Sequence, residues 1–183
     1  MTKVFFGGSR KIGRLNKEIK ERADNVVSQG YLVLVGDANG ADRAMQQYLA
    51  DKSYPNVLVF CPMGTCRNNV GGWEVRHVAV DRDQKDFQYY AVRDKEMSEE
   101  ADYGFMLWDG KSKGTLNNVV CLLERDKSVL VYLSPKKQFF TLKLRDDLDN
   151  LLSQCDRRTI GQLDRALKIR ERIHPDQPQL RFG

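Results

Sequence analysis

The sequence predicts an α/β fold: a doubly wound, mainly parallel sheet with helices on both faces and a C-terminal helical extension. Three observations predict it. Short apolar runs alternate with segments of helical period from Lys3 to Leu133. Three of those runs, ending at Phe6, Val35 and Trp108, lead into a glycine-rich turn that opens the next helix. The run Val129-Leu130-Val131-Tyr132-Leu133 is continuously apolar rather than alternating, as in a parallel strand buried on both faces. A β–α–β rhythm of this kind closes through right-handed crossovers.

The elements follow in order. Lys3 to Phe6 is a strand. Leu15 to Ser28 is a helix, with Leu15, Ile19, Ala23 and Val26 at three- and four-residue steps and Gly30 at the usual stop. Tyr31 to Val35 is the second strand, and Ala41 to Lys52 a helix carrying Ala44, Met45, Tyr48 and Leu49. Asn56 to Phe60 is the third strand. Pro62 to Gly72 has the composition of a loop, and Glu74 to Val80 alternates weakly, as an extra strand would. Gln84 to Glu100 is helical, with Phe87, Tyr90, Ala91 and Met97 inward. Tyr103 to Trp108 is a strand, Thr115 to Arg125 a helix, and Ser128 to Leu133 a strand.

After Pro135 the rhythm changes. Phe139 to Leu144 reads as an edge strand, and Asp146 to Gln154 and Ile160 to Ile173 as helices. The last helix has Leu163, Leu167 and Arg170 on one stripe, a surface on which two copies of the chain can pair as a homo-oligomer. Pro175 and Pro178 mark a loose tail. The expected division is residues 1–134 for the sheet domain and 135–183 for the edge strand, helices and tail.

Composition bounds the function. The chain has 183 residues, 41% of them hydrophobic and 30% charged, and a net charge of +5. Its mean hydropathy is −0.55. No apolar stretch approaches the roughly 20 residues of a membrane span, and the N-terminal residues enter a strand without a secretory h-region. A soluble, cytoplasmic protein is the expectation. Basic residues gather late, at Arg157, Arg158, Arg165, Lys168, Arg170 and Arg172, which suits a solvated helix face or a nucleic-acid surface. Cys61 and Cys66 have no second pair and no nearby His, so no metal site is expected. Cys61 and Cys121 lie in apolar patterns and read as buried small hydrophobes.

The glycine turns hold the candidate site. A strand that ends in glycine and then starts a helix presents unpaired N–H groups to an anion, phosphate above all. Gly7-Gly8-Ser9-Arg10 is the first turn. Its glycines permit close approach, Ser9 caps the turn or donates to phosphate, and Arg10 pairs with phosphate oxygens or stays in solvent. Gly36-Asp37-Ala38-Asn39-Gly40-Ala41-Asp42 is the second. Asp42 suits the helix dipole or a ligand, and Asp37 a ribose hydroxyl or a base. The third is Asp109-Gly110-Lys111-Ser112-Lys113-Gly114-Thr115, where N–H and hydroxyl donors coincide with positive charge. It is neither a Walker A loop nor a GxGxxG fingerprint. In an open parallel sheet all three turns lie at the ligand-binding edge.

These residues, with Arg93-Asp94-Lys95-Glu96-Met97 and Trp108 before the third turn, resemble the SLOG superfamily, the Rossmann-like group that includes the DNA-processing protein DprA and the cytokinin-activating Lonely-guy enzymes. The resemblance spans Val4 to Leu133. It implies a nucleotide or NAD-derived ligand of the AMP, ADP-ribose or cyclic ADP-ribose type, with no further cofactor, and makes Arg93 a phosphate ligand. One departure bears on chemistry. The hydrolase branch has Pro-Gly-Gly-x-Gly-Thr-x-x-Glu, and Asn118 stands here at the position of that glutamate. An amide cannot take up a proton or stabilise an oxocarbenium by charge, although it can hydrogen-bond ribose hydroxyls. Asp37, Asp42 and Asp109 are possible substitutes, with Asp37 and Asp109 the candidate catalytic residues. The expected function is ligand binding, as a sensor or sequestering protein. The alternatives are a nucleoside 5′-monophosphate N-glycosidase or transferase, and a DNA-processing protein.

Overall fold

The apolar runs become the strands of one sheet in the computed structural model, which describes residues 1–64, 66–79 and 87–175. Among these residues the strands are β1 (Lys3–Gly8), β2 (Leu32–Gly36), β3 (Val57–Pro62), β4 (Glu74–Val78), β5 (Tyr103–Trp108), β6 (Val129–Leu133) and β7 (Gln138–Leu142). The helices are α1 (Lys17–Ser28), α2 (Ala41–Asp51), α3 (Phe87–Glu100), α4 (Lys113–Leu123), α5 (Asp147–Ser153), α6 (Arg157–Leu167) and α7 (Ile169–Ile173). The strand order is β4-β3-β2-β1-β5-β6-β7. Every neighbouring pair is parallel except β6 with β7. This is a Rossmann-like, doubly wound α/β fold. The chain builds outward from β1 to β4 and then returns to lay β5 beside β1. The order reverses between those two strands, so their carboxyl ends open the crevice in which such sheets hold ligands.

The pleat divides the core. Val4 and Phe6 of β1 face Ile19 and Ala23 of α1 and Met45 and Leu49 of α2. Phe5 faces the other way, onto the cluster that contains Met97 of α3 and Leu116, Val119 and Val120 of α4. Each fully buried side chain of this size stabilises the fold by about 1.5–3 kcal/mol. Truncating Phe5 to alanine would cost about 3–5 kcal/mol, because both its neighbours and the sheet are already packed.

Local chemistry sets the helix starts. α1 begins at Lys17 rather than Leu15 because Asn16 caps it, its Oδ1 accepting from the Ile19 N–H at 2.9 Å. The Asn16 Nδ2 also donates to the Tyr132 hydroxyl at 2.7 Å, which ties the cap to β6. α4 begins at Lys113, two residues before the expected Thr115, because Ser112 is its cap. Pro62, expected in a loop, is the last residue of β3, and Glu74–Val78 is the edge strand its weak alternation suggests. The expected strand end at Val80, helix start at Gln84 and tail at Pro178 lie outside the described residues.

The C-terminal stretch differs most from expectation. The expected helix from Ile160 to Ile173 is broken at Lys168, whose φ of 53° is left-handed. The break turns Ile169 and Ile173 onto the core, while Arg170, expected on the apolar stripe, is 90% exposed. Leu163 and Leu167, expected on an exposed stripe, are buried in the same cluster as α4, so they close the molecule's own core. Three of the six basic residues there have an acidic partner: Arg172 with Glu124, Arg170 with Asp164 and Lys168 with Glu171. Cys61 is buried as expected, but it is not a free thiol; a disulfide joins it to Cys66, with 5.4 Å between the Cα atoms. Cys121 is free and buried. No helix among the described residues is long and apolar enough to cross a membrane.

Candidate functional site

A cavity of about 540 Å³ lies at the carboxyl ends of β1 and β5, between α3 and α4. That volume is typical of small-ligand sites. Eleven of the residues expected from sequence line it: Gly7, Gly8, Arg10, Asp42, Arg93, Asp109, Lys111, Ser112, Gly114, Thr115 and Asn118. The other six, Ser9, Gly36, Asp37, Asn39, Gly40 and Gly110, are not lining residues, and most of them hold the turns in place.

Ser9 is buried and joins the first turn to the third. Its Oγ donates to Asp109 Oδ1 at 3.0 Å, and the Asp109 N–H donates to the same Oγ at 3.1 Å. The Ala41 N–H donates to the Ser9 carbonyl at 3.3 Å, which brings in the second turn. Gly40, at a φ of 83°, passes so close to the Arg10 backbone that a Cβ has no room. At Gly36 a Cβ would lie 2.6 Å from Asp42 Oδ2 and 2.8 Å from the Arg93 guanidinium carbon. Asn39 Oδ1 accepts from Asn68 Nδ2 at 3.1 Å. Gly110 has a φ of 75° and sits against Cys155 and Leu133.

The start of α4 is partly occupied by its own turn. Asp109 Oδ1 accepts from the Lys111 and Ser112 N–H groups at 3.0 and 2.7 Å, and Ser112 Oγ accepts from the Thr115 N–H at 3.3 Å. The N–H groups of Lys113 and Gly114 remain as the open donors of the first turn. The space beside Gly114 is empty within 4 Å of where a Cβ would stand. Arg10, Lys11 and Lys111 are exposed around this part of the cavity and supply its positive charge.

Arg93 is buried and fully engaged with acids. Its Nη1 donates to Asp37 Oδ1 at 2.5 Å, and its Nε and Nη2 donate to Asp94 Oδ1 at 2.9 and 2.7 Å. Asp37 also accepts from Arg67, at Oδ2 from the backbone N–H and Nε and at Oδ1 from Nη2 at 2.6 Å. Burial raises the Asp37 pKa, but the Arg67 hydrogen bonds and the two guanidinium charges outweigh it, so the carboxyl sits below its ordinary value. The Arg93 pKa is raised, the neighbouring carboxylates outweighing burial. Asp42 behaves oppositely. Burial pushes it up to about 7 against the charge of Arg93, and Asp94 and Asp37 add to the rise. Asp42 Oδ2 accepts from the Ala38 N–H at 3.3 Å.

Asn118 completes this end. Its Nδ2 donates to Asp94 Oδ2 at 3.2 Å. Its Oδ1 is buried and has no hydrogen-bond partner among the described residues. The next residue back, Asn117, accepts from Arg172 Nη1 at 2.9 Å and so joins the cavity wall to α7.

Several lining residues were not among the site residues expected from sequence: Lys11, Arg67, Phe87, Tyr90, Ala91, Asp94 and Asn117. Phe87, Tyr90, Ala91 and Asp94 lie at helical steps, and the first three read as a core stripe. They are instead half-exposed wall, while Tyr89 is buried. Asp94 adjoins Arg93 in sequence, which was the available signal. Arg67 lies in an aperiodic loop and carries none. It stands 4.6 Å from the Tyr90 ring centroid, and Arg10 stands 5.4 Å from the same ring.

The residues Asp37, Cys61 and Cys66 bring donor atoms within 4.8 Å of one another. Both sulfurs belong to the disulfide and the carboxylate to two arginines, a poor donor set for a cation. No family model, curated protein or solved structure matches the chain. Fold and site together define a Rossmann-like α/β protein with a charged cavity at its topological switch point.

Proposed function

We propose that the chain binds a nucleotide or NAD-derived ligand, of the AMP, ADP-ribose or cyclic ADP-ribose kind, as a sensor or sequestering protein. One observation carries this reading. The cavity at the switch point has an open helix N-terminus flanked by Arg10, Lys11 and Lys111, and the aromatic ring of Tyr90 in its wall. The first favours phosphate and the second a planar base. Titration calorimetry and thermal melting with AMP, ADP-ribose, NAD and cyclic ADP-ribose test it. A ligand at 100 times its dissociation constant should stabilise the fold by about 2.7 kcal/mol. No stabilisation by any of the four would overturn it.

A second reading, hydrolysis of the N-glycosidic bond, is favoured by Asp42. A buried carboxyl that lines a cavity and titrates at about 7 has the properties of a general acid–base group. Asp37 and Asp109 fit that role less well, since their carboxylates accept several protein hydrogen bonds. Release of free base from AMP, lost in Asp42→Asn, would support this reading. Intact AMP after long incubation at high protein concentration would defeat it.

A further inference from the structure

We infer that the Arg93–Asp94–Asn118 end of the cavity takes a sugar hydroxyl and not a phosphate, so that the site prefers ribonucleotides to their deoxy analogues. The inference rests on the nucleotide-binding reading and gives the ligand a direction.

The orphaned oxygen of Asn118 is the starting point. The amide nitrogen must face Asp94, because a carboxylate accepts and cannot donate. That leaves Oδ1 turned away from Asp94, in a residue that is 6% exposed and lines the cavity. A buried acceptor left without a donor costs roughly 1–3 kcal/mol, so it calls for an O–H or N–H from whatever fills the space.

An anion is excluded there by its neighbours. Arg93 is the obvious cation, but it is already shared between Asp37 and Asp94, and Asp42 is packed beside it. A phosphate at this end would meet the carboxyl groups of Asp42 and Asp94 and the lone pairs of Asn118. Its place is at the other end, on the Lys113 and Gly114 N–H groups, where Arg10 and Lys111 add charge. Asn118 lies four residues beyond Gly114 on the same helix, about 6 Å along its axis. That is the reach of a sugar phosphate with its phosphate on the first turn and its ring hydroxyls inward.

The test compares AMP with 2′-deoxy-AMP and 3′-deoxy-AMP by calorimetry. At least one deoxy analogue should bind about tenfold more weakly, the size of one good hydrogen bond. In Asn118→Leu the ribo-to-deoxy ratio should fall to about one. The variant also gives up the amide bond to Asp94 Oδ2, so its melting temperature without ligand is measured first, and the ribo-to-deoxy ratio is read on the folded protein. Arg10→Ala should weaken all three nucleotides alike and leave the ratio intact. Equal binding of the three by the parent protein overturns the inference and leaves nucleotide binding standing, as does a ratio that survives in Asn118→Leu. Failure of all three to bind also overturns it, and the panel with ADP-ribose and NAD then decides the parent reading separately.

Discussion

Ser9 and Asp109, a hundred residues apart, exchange two hydrogen bonds across the point where the strand order reverses. One hydroxyl donates to the carboxylate and accepts from the backbone N–H of the same residue. The carboxylate in turn holds the Lys111 and Ser112 N–H groups. The third glycine turn therefore takes its shape from the first. Ser9→Ala should cost about 1 kcal/mol or more, because it strands the half-buried Asp109 N–H and removes a donor from its carboxylate. Chemical denaturation measures the loss, and weaker binding of phosphate-bearing ligands should accompany it.

Arg93 predicts a larger effect. It is buried between Asp37 and Asp94, and removing it leaves those carboxylates without their shared cation. Arg93→Leu should destabilise by about 3–5 kcal/mol, well beyond the loss expected if the residue served only as a ligand contact. Arg93→Lys should recover only part, since one ammonium cannot span both acids. Equilibrium unfolding of the two variants separates these outcomes.

Asp42 predicts a pH dependence. Its folded pKa of about 7 stands above the ordinary 3.8, so the fold holds this proton more tightly than the unfolded chain does. The contribution is complete below about pH 4 and is lost as the pH rises through about 7. Arg93, Asp94, Asp37 and the Ala38 N–H are the groups that face it. Asp37 shifts downward and acts only in acid, outside this window. Melting temperature should fall between pH 5 and 8, and Asp42→Asn should flatten the fall and exceed the parent protein in stability at pH 8. An unchanged slope in the variant would remove Asp42 as the cause.

Gly36 predicts a steric effect at the same cluster. A methyl group there would press on Asp42 and Arg93 together. Gly36→Ala should destabilise by about 1–3 kcal/mol, and circular-dichroism melts would register it.

The strands and the glycine turns were legible because their signals are local. Continuous apolar runs mark strands, and a glycine after a strand marks a turn. Arg67 was not legible, because its place depends on Asp37, 30 residues away, and on a loop without period. The break at Lys168 was hidden for a similar reason. No glycine or proline announces it, and what decides it is the gain from turning Ile169 and Ile173 onto α4. Tyr90 was read as core because the spacing of an apolar wall and of a core stripe is the same. Arg93 lines the cavity, while what it does there is fixed by Asp94, its neighbour on the same helix, and by Asp37 from the turn after β2.

The contact between Arg172 and Asn117 has a consequence for how the chain responds as a whole. Arg172 lies in the last described helix, also holds Glu124 through two hydrogen bonds, and reaches the wall of the cavity. Leu163, Leu167, Ile169 and Ile173 bury themselves on the helix that carries Asn118. Residues 135–175 are thus not an appendage beside a finished sheet. They are the back plate against which the cavity-lining helix α4 is clamped, so a disturbance in α6 or α7 is felt in the wall of the cavity.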